Sequence, residues 1–235
     1  MIRLGITGTD TGVGKTLFTC GLAGALKRRG LRVAAMKPIE TGVRPDDPWR
    51  DGARLARAAG GTFPLSILAP IVLAPPLAPL LAAQRTGATV DLALLDHAVR
   101  AASHYADALL VEGAGGLLVP IADYVSFATV FARWALELIV VGPNRLGAIN
   151  HARLTVSVAR ASGLKVRAVV LNRLTGDAPD PSVADNARLI SELEGVPVFE
   201  LPWTTQPDDL DAVETLVVRS GIVDMLAPRM TSILA

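Results

Sequence analysis

Short apolar runs alternate along this chain with stretches whose apolar positions recur at helical spacing. The runs fall at 2–7, 31–37, 107–112, 136–142, 166–172 and 196–201. Each is almost uninterrupted in Ile, Val, Leu and Ala, the pattern of a strand buried on both faces rather than one with a wet side. Helical periodicity fills the intervals and predicts helices over 17–29, 51–60, 91–103, 126–135, 147–162 and 180–195, with one or two more closing the chain. Gly30 and Gly195 stand where helix stops are expected. The alternation predicts an α/β fold of three layers, a mainly parallel sheet with helices on both faces. No repeat or linker interrupts it, and 235 residues suit one domain, 1–235, with a sizeable core.

One interval breaks the pattern. Residues 62–84 carry no charge, yet Pro64, Pro70, Pro75, Pro76 and Pro79 interrupt them. Prolines this dense remove helix hydrogen bonds, so a membrane span is excluded in favour of a loop with a short helix near 77–84, covering a pocket or a partner surface.

The chemistry concentrates at the first strand's end. GTDTGVGKT, 8–16, joins a strand to a helix through a glycine-rich turn, the context of a phosphate-binding loop. Its glycines let successive N–H groups face an anion, and the following helix adds its positive end. Lys15 suits the outer phosphates and the Thr16 hydroxyl suits Mg²⁺. Five residues separate Gly8 from Gly14, one more than the usual loop has.

Ligands of parallel α/β sheets sit beyond the carboxyl ends of strands. Lys37 ends the second run, with Thr41 and Gly42 just beyond; Glu112 ends the third, before Gly113, Gly115 and Gly116; Asn172 ends the fifth. A carboxylate at Glu112 suits Mg²⁺, and an amide at Asn172 suits a purine edge. Read locally, Asp51 is a helix cap or dipole partner, with Asp46 and Asp47 competing for any metal role. The helix opening near Gly147 and Asn150 offers free N–H groups to an anion or carboxylate.

Charge narrows the classes. Lys plus Arg is 23 and Asp plus Glu is 22, so no basic field points to nucleic acid. The single cysteine, Cys20, falls inside the first helix as a core residue, which fits a reducing, cytoplasmic setting. A first strand beginning at Ile2 leaves no room for a signal peptide.

Together GTDTGVGKT at 8–16, KPIETG at 37–42, VEGAGG at 111–116, LGAINHA at 146–152, Asn172 and LPW at 201–203 resemble dethiobiotin synthetase, the ATP-dependent carboxylase of biotin biosynthesis. The extended phosphate loop is typical of that family, as is the order of the pieces. The resemblance implies a P-loop NTPase-like fold and a cytoplasmic ligase that closes a cyclic urea from 7,8-diaminononanoate, CO₂ or bicarbonate, and ATP, with Mg²⁺. It implies catalytic roles for Lys37, Lys15 and Thr11, and a metal held by Thr16, Asp51 and Glu112. ATP contacts are expected from Gly12, Val13, Gly14, Lys15, Thr16 and Leu17, from Asp51, from Glu112, Gly113, Ala114 and Gly115, from Asn172 and Arg173, and from Pro202, Trp203, Thr204 and Asp208. The diamine acid is expected at Lys37 and Thr41 and at Leu146, Gly147 and Asn150, the last three supplied by the other subunit of a homodimer. Pro75 and Leu80 depart from the family pattern beside the substrate. A partitioning-type P-loop ATPase switch is the rival reading, but it needs a lysine where this loop has Asp10.

Overall fold

The computed structural model describes residues 1–176 and 180–228. In chain order it begins with β1 (Ile2–Gly8), α1 (Lys15–Arg28), β2 (Val33–Met36), β3 (Ile39–Thr41), α2 (Asp51–Ala58), α3 (Leu65–Leu68), β4 (Ile71–Leu73), α4 (Pro79–Thr86) and α5 (Leu92–Tyr105). There follow β5 (Ala108–Gly116), β6 (Pro120–Ala122), β7 (Val125–Ser126), α6 (Phe127–Arg133), β8 (Glu137–Pro143) and α7 (Ala148–Ala161). The last elements are β9 (Val166–Asn172), α8 (Val183–Glu194), β10 (Val198–Leu201), α9 (Leu210–Arg219) and α10 (Ile222–Leu226).

The six expected strands form one sheet in the order β10-β9-β8-β1-β5-β2, every neighbour parallel. Alternate residues of each strand enter opposite cores. Met36, Leu109, Val111, Leu138, Val140, Val169 and Leu171 pack with α3 to α8 on one face. Ala35, Leu110, Ile139, Val141, Ala168 and Val170 pack with α1, α2, α9 and α10 on the other. Burial on both sides explains the continuous apolar runs.

α9 lies hard against α1. A methyl on Gly21 would come within 2.5 Å of Val217 Cγ2 and 2.7 Å of the Val213 carbonyl, and one on Gly24 within 2.9 Å of Glu214 Oε2. Glycine in mid-helix costs about 1 kcal/mol relative to alanine, and here it permits the close approach of two helices.

Several boundaries differ from expectation. β5 does not stop at Glu112 but runs on through the glycines, because Gly8 of β1 pairs with Gly116. β2 ends at Met36, leaving Lys37 beyond the sheet. β10 starts at Val198, not 196. The polar segment after Lys37 contains β3, which pairs with β4 outside the main sheet, and β6 with β7 form a small antiparallel ribbon. The charge-free stretch is cut into α3, β4 and α4, with Pro79 in the first turn of α4, where a missing N–H costs nothing. No helix among the described residues is long and apolar enough to cross a membrane. The closing segment contains α9 and α10; residues 229–235 lie outside the described residues.

Candidate active site

The site lies beyond the carboxyl ends of β1, β2, β5 and β9. β1 delivers the phosphate loop from the middle of the sheet, between β5 and β8. The loop turns at Gly12 (φ 74°) and Gly14 (φ 88°), a left-handed backbone that favours glycine. Gly14 is the N-cap of α1, no side chain among the described residues caps that helix, and its first turn lines the cavity. Gly14 is doubly constrained, since a Cβ there would lie 2.0 Å from Asn172 Nδ2. Asn172 is buried and donates from Nδ2 to the Val13 carbonyl at 3.2 Å, tying the end of β9 to the loop. Lys15 folds back over the loop and donates to the Asp10 carbonyl at 3.1 Å.

Four side chains from four segments meet beneath the loop. Lys37 Nζ lies 2.6 Å from Glu112 Oε1 and 2.9 Å from Asp51 Oδ2. Thr16 Oγ1 donates to the same Glu112 oxygen at 2.8 Å. The pairing of Met36 with Val111 sets Lys37, just past the end of β2, beside Glu112 within β5. Asp51 is the first residue of α2 and makes no cap bond, so the local cap reading gives way to a tertiary one.

The charges are unevenly held. Burial pushes Lys15 down to about 8, and the neighbouring Lys37 ammonium adds to the fall. Burial also opposes charge on Lys37, but Glu112 and Asp51 outweigh it and hold that ammonium above the ordinary lysine value. Burial works against the Asp51 carboxylate as well, yet the Lys37 charge and hydrogen bond keep it below the usual carboxylate range. Glu112 is fully buried, and its Oε2 has no hydrogen-bond partner among the described residues. An orphaned carboxylate oxygen beside a threonine hydroxyl and a second carboxylate is a hard oxygen set that fits Mg²⁺. The described residues hold no cluster of three or more His, Cys, Asp or Glu that could hold a metal by itself.

Above the cluster opens a cavity of about 770 Å³. Of the expected residues, Thr11, Gly12, Gly14, Lys15, Thr16, Leu17, Lys37, Thr41, Asp51, Ala114, Gly115, Asn172, Arg173, Trp203 and Thr204 line it. Val13, Glu112 and Gly113 sit behind that wall, and exposed Pro202 lies next to Trp203. Asp208 is joined to the wall through Arg54, at 2.9 Å. Leu146, Gly147 and Asn150 are not brought to the cavity of their own chain. Gly147 is the N-cap of α7, Leu146 just before it is 81% exposed, and Asn150 lies exposed in the first turn.

Sequence reasoning missed Arg54 and Glu40, both in the lining. Arg54 was legible only as one residue of an amphipathic helix, although it stands three positions from Asp51 on the same face. The proline segment enters as Pro76, Leu77, Ala78 and Pro79, which form one wall of the cavity.

A strand, a glycine-rich turn lining a cavity and a helix led by Lys15 and Thr16 define a P-loop nucleotide-binding protein. The fold is shared with a ParA family ATPase from Chlorobium tepidum TLS, at 15% identity and a TM-score of 0.51 over 97% of this chain and 94% of that one. A chain of the MinC:MinD cell division protein complex from Aquifex aeolicus has 16% identity and a TM-score of 0.56, with 96% of each chain covered. A family model described as an AAA domain matches residues 3–209. The ATP-dependent dethiobiotin synthetase of Anaeromyxobacter sp. (strain Fw109-5) is 43% identical over 83% of this chain and 86% of its own length. That of Aquifex aeolicus (strain VF5) is 38% identical over 98% of this chain and its full length. The chain belongs to the ATP-dependent dethiobiotin synthetase family, within the broader group that the AAA-domain model covers.

Proposed function

We propose that this chain, as one domain, joins 7,8-diaminononanoate and CO₂ into dethiobiotin at the expense of ATP. The reaction is a ligation with release of ADP and phosphate. One amine captures CO₂ as a carbamate with loss of a proton. A carbamate oxygen takes the γ-phosphoryl group, and ADP leaves. The second amine attacks the carbonyl carbon of the mixed anhydride, phosphate departs, and the cyclic urea closes.

Phosphoryl transfer asks the protein chiefly for position and charge. A carbamate nearing a polyanionic phosphate is repelled by about 4 kcal/mol per unit charge pair at 4 Å and a surface-like dielectric. Lys37 is our cation for that gap, Lys15 holds the β- and γ-phosphates, and Thr11 stands beside the reacting oxygens. Thr16, Asp51 and Glu112 would hold Mg²⁺, which would supply positive charge to offset that of the phosphates. Asn172 and Arg173, with the segment from Pro202 to Thr204 and Asp208, would hold adenine and ribose. Thr41 would meet the diamine.

The single observation that carries this reading is Lys37 gathered with Glu112, Asp51 and Thr16 at the foot of the phosphate loop, in a chain of this family. The outward-facing start of α7 supports a homodimer, in which Leu146, Gly147 and Asn150 of one copy receive the carboxylate of substrate bound to the other. The lone thiol, buried and pushed up to about 12 by that burial, suits a reducing cytoplasm.

Incubation with 7,8-diaminononanoate, bicarbonate and Mg·ATP, read by mass spectrometry, tests the reading. Stoichiometric cyclic urea and ADP are expected. ATP hydrolysis with the diamine recovered unchanged overturns it.

A further inference from the structure

Asp51 has no local support. It opens α2 without a cap bond of its own, and its carboxylate must nonetheless stay within 2.9 Å of Lys37 Nζ. The residues on either side of it are held by one buried side chain. Glu40 of β3 is 2% exposed. Its Oε1 accepts the Gly52 N–H at 2.8 Å, and its Oε2 pairs with the guanidinium of Arg50, itself buried. Arg50 and Gly52 flank Asp51 directly, so Glu40 grips the chain both before and after the carboxylate.

The approach is close enough to demand glycine. A Cβ on Gly52 would meet Glu40 Oε2 at 2.8 Å and the Ala69 Cβ at 2.6 Å. Glu40 thus adds from another element a second carboxylate at the start of α2, where Asp51 is already the acidic residue of the first turn. Lys37 and Glu40 also belong to one short segment, three residues apart, one holding the Asp51 side chain and the other its two neighbours, through the Arg50 guanidinium and the Gly52 N–H. Burying a carboxylate and a guanidinium is costly, and a well-packed apolar pair would serve stability as well or better. The Arg50 Nε is buried without a partner, a further cost that stability alone does not explain.

We propose that Glu40, with Arg50, is a positioning residue for the reaction: it sets the Asp51 carboxylate for the divalent cation that accompanies the nucleotide. The inference rests on reading Asp51 as a metal-side carboxylate. Supporting groups of this kind change metal affinity by about 10- to 100-fold when removed.

The test measures affinity for a non-hydrolysable ATP analogue by calorimetry, in EDTA and in Mg²⁺, on the full chain. In Glu40→Ala the EDTA value stays within about twofold of wild type, while the gain conferred by Mg²⁺ falls about tenfold. Glu40→Gln keeps an acceptor for Gly52 but loses the charge pair, and the gain falls by about threefold. In Glu40→Ala/Asp51→Ala the gain is no smaller than in Asp51→Ala alone, because the two residues act through one carboxylate. A lowered melting temperature with the Mg²⁺ gain intact in either variant, or equal losses with and without metal, overturns the proposal. If Glu40→Ala does not fold, Glu40→Gln decides alone. These readouts need no turnover, so failure to make cyclic urea sinks the proposed function without touching this inference, and the reverse also holds.

Discussion

The ammonium of Lys37 and the carboxylate of Glu112 form a 2.6 Å ion pair from which solvent is excluded, the lysine side chain 7% and the glutamate 0% exposed. Removing one partner of such a pair leaves the other charge buried and uncompensated, which typically costs about 3–5 kcal/mol. Lys37→Ala should therefore do two separable things. In steady-state assays with Mg²⁺, turnover should fall by ~10²-fold or more while ATP affinity stays within a few-fold. In denaturant titrations without nucleotide or metal, stability should drop, and Glu112→Gln added to Lys37→Ala should restore much of it without restoring turnover. Wild-type turnover in Lys37→Ala removes this lysine from the mechanism.

Lys15 carries the clearest pH signature. Burial lowers its pKa from 10.5 to about 8 in the free protein. A bound triphosphate favours the charged form and raises that pKa again. Below pH 8 Lys15 is largely protonated and adds little pH dependence of its own to ATP affinity in EDTA. Above it, binding must also take up a proton, so affinity should fall by up to tenfold per pH unit. Calorimetry in buffers of different ionisation enthalpy should detect that uptake near pH 9.

Gly14 fails for two independent reasons when replaced. Its φ of 88° strains any other side chain, and a methyl would strike Asn172 Nδ2 at 2.0 Å. Gly14→Ala should abolish measurable ATP binding. Asn172→Ala alone should weaken binding and reduce the preference for ATP over GTP. The double variant should recover only part of the loss, because removing the amide leaves the backbone strain in place. Full recovery would show the clash to be the whole effect.

The sequence disclosed those elements whose causes are local. Strands buried on both faces read as unbroken apolar runs, and the phosphate loop reads from its glycines and the Lys15–Thr16 pair. What escaped depends on partners distant in the chain. Gly113 to Gly116 signal a turn, because glycine is a poor strand residue, yet pairing of Gly8 with Gly116 makes them strand. Glu40 and Arg50 look like solvated charges in a polar loop until each is seen to neutralise the other. Asp51 looks like a cap until Lys37 is found beside it, 14 residues back along the chain.

Arg54 joins α2 to the segment after β10, donating to the Pro207 carbonyl at 3.0 Å and pairing with Asp208 at 2.9 Å. It should act on nucleotide binding rather than on the chemical step. Arg54→Ala should raise the KM for ATP several-fold with kcat nearly unchanged. A fall in kcat at unchanged KM contradicts that assignment.

A shared site predicts complementation. Lys37→Ala damages one copy's chemistry, and Gly147→Val, at a φ of 91°, damages the start of α7. Each variant alone should be nearly inactive. Mixed and re-equilibrated in equal amounts, they should recover about a quarter of wild-type activity, since half the dimers carry one intact site of two. No recovery from dimers shown to have exchanged subunits places both lesions in the same chain's site.

The two glycines that let α9 settle on α1 bear on how the protein is made. The phosphate loop leaves the ribosome well before α9, so the helix it leads keeps one flank bare until residues 210–219 emerge. Nucleotide therefore becomes able to reward folding only once residues 210–219 have emerged, and stalled chains released to residue 200 should retain no ATP where those released to residue 228 do.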